Sequence, residues 1–136
     1  MNDELIDLVV HDPLTGIYNR RYFETSMKKS ISSYMRSRSP FQIILFVIDH
    51  FKGINDTYGH PCGDYILKEL TRLINSEIGD KDTFARIGGE EFAIILSQSN
   101  LEEIEEISQR IRQRVEQMRQ SNKTEVLLIS NGHHRR

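Results

Sequence analysis

The sequence predicts one α/β domain, an α+β sandwich in which helices cover a mixed central sheet related to the ferredoxin-like split βαβ arrangement. Three observations predict this class. The chain has 136 residues, the size of one ordinary domain, and 38% of them are hydrophobic and 28% charged. Its apolar segments alternate between the lengths of strands and of helices. Two short strand-like segments flank a glycine-rich turn, as in a hairpin.

The first half of the chain predicts a helix, a strand and a second helix. Apolar residues recur at every fourth position from Phe23 to Met35, which predicts a helix that begins near Asn19 and buries this face. Phe41–Asp49 is apolar almost throughout, so it is predicted as a strand buried on both faces. Pro61 predicts the start of a second helix, because proline is favoured at the first helical position. The residues expected on the buried face of the first helix are Phe23, Met27, Ile31 and Met35.

The second half predicts a hairpin, a long helix and a last strand. Thr83–Ile87 and Phe92–Ser97 are strand-like and flank a Gly-Gly-Glu-Glu turn. Leu101 begins an amphipathic segment with a heavily charged polar face, which predicts a helix. Glu125–Ser130 is predicted as the last strand. The expected order is therefore helix, strand, helix, hairpin, helix, strand.

The charge and composition argue against several classes of function. The formal net charge is −2, from 18 basic and 20 acidic residues, so no general attraction to nucleic acid or to a membrane surface is expected. No apolar run approaches the roughly 20 residues of a transmembrane helix, and the acidic N-terminus is not typical of a signal peptide. Cys62 is the single cysteine and has no partner for an internal disulfide. These features predict a cytoplasmic location.

Acidic residues mark the place where chemistry is expected. Asp49 lies at the carboxyl end of the first strand, and Glu90 and Glu91 lie in the hairpin turn. If the two strands are neighbours, these carboxylates converge, and Mg²⁺ in phosphoryl-transfer enzymes prefers such hard oxygen ligands. The alternative interpretation is that Glu90 and Glu91 form a solvated hairpin tip that binds nothing.

Several motifs in a fixed order extend over almost the whole chain. Residues 12–16 read Asp-Pro-Leu-Thr-Gly, and residues 18–21 read Tyr-Asn-Arg-Arg. Residues 48–52 read Ile-Asp-His-Phe-Lys, and residues 54–64 read Ile-Asn-Asp-Thr-Tyr-Gly-His-Pro-Cys-Gly-Asp. Residues 86–92 read Arg-Ile-Gly-Gly-Glu-Glu-Phe. Through these motifs the chain resembles a GGDEF domain of the diguanylate cyclase family, in its GGEEF variant.

The resemblance implies a fold, an activity and partners. The fold is the palm-type fold of nucleotidyl cyclases, and the activity is the condensation of two GTP molecules into the bacterial second messenger cyclic di-GMP. Mg²⁺ is the implied cofactor, a homodimer is implied for catalysis, and an upstream sensor or partner protein is implied as the source of the signal. Residues 1–11 then correspond to the end of a linker helix, residues 12–132 to the GGDEF domain, and residues 133–136 to a tail.

The resemblance also implies roles for individual residues. Glu90 is implied as a metal ligand together with the backbone carbonyl of Ile48, and Glu91 is implied to assist deprotonation. The turn glycines let the backbone approach the triphosphate. Asn55 and Asp64 read guanine, which presents two adjacent N–H donors that adenine lacks. The implied catalytic residues are Glu90 and Glu91, and the implied substrate-binding residues are Asn55, Asp64, Phe51, Lys52, Gly88 and Gly89.

Val47 departs from the pattern of the family. The family has Asp-x-Asp at the end of the first strand, where the first aspartate binds the metal, whereas this chain has Val47-Ile48-Asp49. Glu90 is left as the obvious side-chain ligand. We therefore expect retained binding of guanine nucleotide with weak or absent synthesis. The helix and strand that follow the last strand in the family have no counterpart in the sequence, and activity is expected to suffer further.

Two functions from different classes stay open on these grounds. The intact Gly88–Glu91 signature, Asn55 and Asp64 favour an active diguanylate cyclase. Val47 and the short C-terminal part favour a catalytically degenerate module that binds GTP or another protein.

Overall fold

The computed structural model describes residues 9–48, 56, 59–97, 100–122 and 126–131 of the chain. Its elements follow the predicted order of helix, strand, helix, hairpin, helix and strand, which confirms the fold class. The main elements are α1 (Arg20–Ser37), β1 (Gln42–Ile48), α2 (His60–Asn75), β2 (Thr83–Arg86), β3 (Glu91–Leu96), α3 (Leu101–Asn122) and β4 (Val126–Asn131).

The described strands form one sheet in the order β2-β3-β1-β4. Each strand pairs antiparallel with its neighbours. This order, with β1 and β3 in the centre, is that of the split βαβ arrangement. The expectation of a mixed sheet was wrong for these strands, because each helical crossover skips one strand and leaves antiparallel neighbours. Among the described residues, the parallel pairing is confined to an isolated bridge between Tyr18 and Ala85.

The larger core lies between the sheet and the pair of helices α2 and α3. Side chains alternate between the two faces of a strand, so alternate residues in the middle of β1, β2 and β3 enter this core. The helices contribute a buried apolar stripe that includes Leu70 and Ile111. Phe46 and Phe92 stack there with ring centroids 5.4 Å apart. The strand residues of this core are Ile44, Phe46, Phe84, Phe92, Ile94 and Leu96.

The opposite face of the sheet is only partly covered, by α1. Phe23 packs there against buried residues of β2 and β3 such as Ala85 and Ile95. On β1, the residues of this face are only half-buried, whereas Ile44 and Phe46 on the other face are buried. The prediction of a strand buried on both faces was therefore wrong for one face of β1. This half-covered face contains the candidate site.

Helix α1 begins as predicted, with Asn19 accepting a hydrogen bond from the Tyr22 backbone N–H at 3.0 Å. Its buried face was predicted incorrectly. Phe23 is 6% exposed, but Ile31 is 47% and Met35 is 68% exposed. Each step of four residues turns about 40° past a full turn of an α-helix, so a stripe at this spacing winds away from the sheet.

Candidate functional site

The sheet brings the hairpin turn to the end of β1. In the antiparallel register of β1 and β3, Val47 lies directly opposite Glu91. Opposed residues in such a ladder have Cα atoms about 5 Å apart. Glu90 is the preceding residue and lies half-buried in the turn just before β3. The predicted juxtaposition of the turn with the strand end is therefore confirmed.

The turn at residues 87–90, called the signature turn below, is closed by main-chain hydrogen bonds. The Ile87 N–H donates to the Glu91 carbonyl oxygen at 2.9 Å, and the Gly88 N–H donates to the same oxygen at 3.3 Å. Neither Gly88 nor Gly89 has a positive φ angle, so backbone conformation does not require glycine at either position. At Gly88 a Cβ atom would lie 2.3 Å from Oε1 of Glu91, so the Glu91 side chain lies over this glycine. At Gly89 a Cβ atom would meet nothing within 4 Å, and this part of the backbone is open to an approaching ligand.

The Arg86 side chain hydrogen-bonds to main-chain carbonyl oxygens of the signature turn. Its Nη2 donates to the Gly89 carbonyl oxygen at 2.8 Å, and its Nε lies 3.2 Å from that oxygen and 3.3 Å from the Gly88 carbonyl oxygen. Its Nη1 pairs with both carboxylate oxygens of Asp12 at 3.4 Å. This contact spans 74 residues of sequence. Both residues belong to the motifs described above, but no role for Arg86 was predicted.

A cavity of about 420 Å³ opens beside the signature turn, between α1 and the ends of β1 and β3. Its walls are mainly apolar, with Val47 among them. Charged groups line it as well, and two of them, Arg20 and Glu24, form an exposed ion pair at 3.2 Å. The volume is in the range of small-ligand sites. The lining residues are Arg20, Phe23, Glu24, Met27, Leu45, Phe46, Val47, Ile87, Glu91 and Phe92.

The other predicted site residues are described only in part. Asp64 is half-buried near the start of α2, a helix capped by Gly59 in a positive φ conformation of 93°. The backbone of Ile48 ends β1. Asp49, Phe51, Lys52 and Asn55 lie outside the described residues. Their predicted roles in binding phosphate and guanine remain predictions.

The few predicted protein oxygens near the signature turn suit Mg²⁺ only if substrate phosphates supply further ligands. The Val47 side chain offers no oxygen, which leaves the Glu90 carboxylate and the Ile48 main-chain carbonyl as the predicted protein donors. Among the residues that the structure describes, no three His, Cys, Asp or Glu side chains form a cluster that could hold a metal ion. Mg²⁺ is commonly bound through one or two carboxylates plus substrate phosphates. The residues present therefore fit an ion that arrives with a nucleotide.

The antiparallel split βαβ sheet and the acidic glycine turn at its centre together define a palm-type fold of the nucleotidyl cyclase kind. The family model described as "Diguanylate cyclase, GGDEF domain" matches residues 9–133. This chain belongs to the GGDEF domain family.

Relatives and solved structures agree with this assignment. The probable diguanylate cyclase DgcT of Escherichia coli K12 is 39% identical over 111 residues, covering 82% of this chain and 24% of DgcT. Diguanylate cyclase SiaD of Pseudomonas aeruginosa, solved with its activator SiaC, is 34% identical with a TM-score of 0.72, covering 84% of this chain and 44% of SiaD. The GGDEF domain of DgcB from Caulobacter crescentus, solved with c-di-GMP, is 28% identical with a TM-score of 0.73, covering 90% of this chain and 75% of that one. The chain thus spans about a quarter of the length of curated relatives such as DgcT.

One further finding concerns the helices. In the described part of the chain, none of them combines the length and the apolar character needed to cross a membrane.

Proposed function

We propose that this domain binds GTP at the signature turn and synthesises cyclic di-GMP weakly or not at all. One observation carries the proposal: Val47, directly opposite Glu91, occupies the strand position where the family places a metal-binding aspartate. The cavity at this point is lined by an apolar side chain instead of a second acidic ligand. We therefore expect that this domain retains GTP binding although its synthesis of cyclic di-GMP is weak or absent, because the two depend on different residues.

The features needed for nucleotide binding support the first half of the proposal. The backbone at Gly89 is open to a phosphate, since a Cβ atom there would meet nothing within 4 Å. Asp64 is half-buried near the start of α2, where a carboxylate can accept from two adjacent guanine N–H groups. Asn55 is proposed to assist in this recognition. A wrong base would leave the Asp64 carboxylate without these donors, so GTP is expected to bind better than ATP.

In the reaction of the family, the 3′-hydroxyl of each GTP attacks the α-phosphorus of the other, so that two phosphodiester bonds form and two pyrophosphates leave. Glu90 and the Ile48 carbonyl would hold Mg²⁺, which would stabilise the charge that develops on the phosphate oxygens. Glu91 lies over Gly88, next to the proposed phosphate position, and is proposed to assist removal of the proton from the hydroxyl. Each domain presents one GTP, so the active form is proposed to be a homodimer in the cytoplasm, controlled by a sensor or partner protein.

A degenerate binding module is the second candidate, and a specific observation favours it. The second half of α1 carries apolar side chains that the described fold leaves exposed, Ile31, Tyr34 and Met35. With Val47 at the metal position, the domain is then proposed to act by binding GTP or another protein without synthesis.

Two measurements on the purified chain test these proposals. Calorimetric titration with GTP and ATP measures binding, and Asp64→Asn is expected to reduce the preference for GTP. Chromatography of a reaction with GTP and Mg²⁺ measures cyclic di-GMP. Synthesis at a rate equal to that of an active relative would refute the impaired enzyme, and loss of all GTP binding would refute the nucleotide site.

A further inference from the structure

The Arg86 guanidinium contacts the carbonyl oxygens of two consecutive residues of the signature turn. The carbonyl oxygen of Gly89 lies 2.8 Å from Nη2, and the carbonyl oxygen of Gly88 lies 3.3 Å from Nε. Consecutive peptide planes are thereby held with their oxygens toward the same group. The fixed planar fork of arginine is suited to such a pair of acceptors, whereas the single ammonium of lysine is not.

This arrangement fixes the direction of two N–H groups. The described residues contain no cis peptide bond, and in a trans peptide the N–H points opposite to the C=O of the same plane. The N–H groups of Gly89 and Glu90 therefore point away from Arg86. Within the described part of the chain, neither of them donates to a protein acceptor. Successive main-chain N–H groups that point to one side form an anion-binding concavity.

The charge of Arg86 is balanced on the side away from this concavity. Asp12 accepts from its Nη1, and the two side chains are only 18% and 16% exposed. Asp12 is itself fixed by the Thr15 backbone N–H at 2.9 Å and the Thr15 hydroxyl at 2.8 Å. Arg86 is thus held on the side of the turn opposite to the Gly89 and Glu90 N–H groups. Its effect on a ligand has to pass through the peptide groups that it orients.

We propose that Arg86 is a positioning residue that orients the Gly89 and Glu90 N–H groups toward a phosphate oxygen of the bound nucleotide. The inference rests on the proposed function, because that function supplies a guanine nucleotide at this turn. It assigns the phosphate contact to two main-chain donors and the control of their direction to a side chain on the far side of the turn. Asp12, which is itself fixed by Thr15, holds Arg86 in place.

Amide resonances of the ¹⁵N-labelled chain test the inference directly. Magnesium-free GTP is expected to shift the Gly89 and Glu90 amide signals, and guanosine, which has no phosphate, is expected to leave them unchanged. Both ligands are expected to shift the Asp64 amide. In Arg86→Lys, GTP affinity is expected to fall about tenfold or more, as for the loss of hydrogen bonds to a charged group, while the guanosine-induced shift at Asp64 persists. Arg72→Lys, which changes an arginine paired with Glu69 on the exposed side of α2, serves as the matched control and is expected to bind both ligands as the wild type does.

The outcomes separate this inference from the proposed function. A GTP-induced shift at Asp64 without one at Gly89 and Glu90 would overturn the phosphate contact and leave the nucleotide site standing. An absence of shifts at all three amides would overturn the proposed function and the inference with it. Wild-type GTP affinity in a folded Arg86→Lys would overturn the positioning role alone. If that variant does not fold, the wild-type amide shifts still decide whether the turn contacts the phosphate.

Discussion

Replacement of Val47 by aspartate is expected to restore the missing half of the metal site. Val47 lies opposite Glu91 and one residue from the level of Glu90, so a carboxylate there would lie close to an ion held by Glu90. For two unit charges about 5 Å apart at an effective dielectric of about 20, Coulomb's law gives about 3 kcal/mol, which is a minimum for a divalent ion. Since 1.4 kcal/mol corresponds to a factor of ten, the affinity for Mg²⁺ in the GTP complex is expected to rise at least about 100-fold.

When metal is absent, the same substitution is expected to lower the stability of the fold and the affinity for GTP. An aspartate at position 47 would face Glu91 across the sheet, and like charges that are directly opposed are destabilising by up to about 1 kcal/mol. It would also add negative charge beside the triphosphate. Val47→Asp is therefore expected to bind GTP less tightly than the wild type in EDTA and more tightly in Mg²⁺. This reversal distinguishes a metal effect from a general gain or loss of stability.

The assay is cyclic di-GMP synthesis at fixed GTP over a series of Mg²⁺ concentrations, with GTP affinity measured in parallel. Val47→Asn is the matched control, because it places an oxygen at the same position without the charge. Synthesis by Val47→Asp at a much lower Mg²⁺ concentration than by Val47→Asn is the expected result. Equal behaviour of the two variants, or GTP binding by Val47→Asp that does not respond to Mg²⁺, would refute the reasoning.

Three further predictions concern the core, the turn and pH. Ile111→Ala is expected to lower the free energy of unfolding by about 2–5 kcal/mol, because the side chain is 0% exposed, whereas Met35→Ala, at a position 68% exposed, is expected to change it by less than about 0.5 kcal/mol. Urea denaturation measures both, and equal losses would contradict the placement of α1. Gly89→Ala is expected to keep wild-type stability but to lose GTP affinity in calorimetric titration, since its Cβ meets no protein atom within 4 Å yet lies where we propose that a phosphate binds; unchanged affinity would remove this glycine from the site. The hydrogen bond from Arg110 lowers the pKa of Glu77 from 4.5, so its carboxylate stabilises the fold above that pH and less as the pH falls through the lowered pKa. Glu77→Gln is therefore expected to shift the urea midpoint at pH 7 and much less at pH 3, and an equal shift at both values would exclude the ionic contribution.

The sequence predicts the framework well because local patterns decide it. The glycine turn between two short apolar segments is sufficient for the β2–β3 hairpin, and Asn19 and Pro61 mark helix starts that the structure confirms. The pairing of β1 with β3 is confirmed as well, and it places Val47 at the signature turn. The candidate site could thus be located from motifs whose order along the chain is fixed.

Features that depend on the winding of a helix or on distant side chains were not predictable in this way. The spacing of four residues in α1 indicates a stripe, but only the position of the sheet decides where the stripe leaves it, and Ile31 and Met35 lie beyond that point. The contact between Arg86 and Asp12 joins residues 74 positions apart. Neither residue type nor spacing indicates that an arginine beside a glycine turn will bind the carbonyl groups of that turn. Such contacts follow from the packed geometry of three segments at once.

Position 47 shows why membership of the family does not establish activity. A β-branched residue suits a strand, and Val47 continues the apolar side of β1 that begins with Ile43 and Leu45. Valine is therefore compatible with the strand, and the sheet order agrees with the similarity of the chain to solved structures of the family. The similarity of this chain to the family in sequence and in fold comes from the motifs, the sheet and the turn and not from the residue at position 47. The proposed loss of Mg²⁺ affinity rests instead on the half-buried side chain at position 47, at the edge of the cavity, so a measurement that varies this side chain and the metal together tests whether the domain is an enzyme.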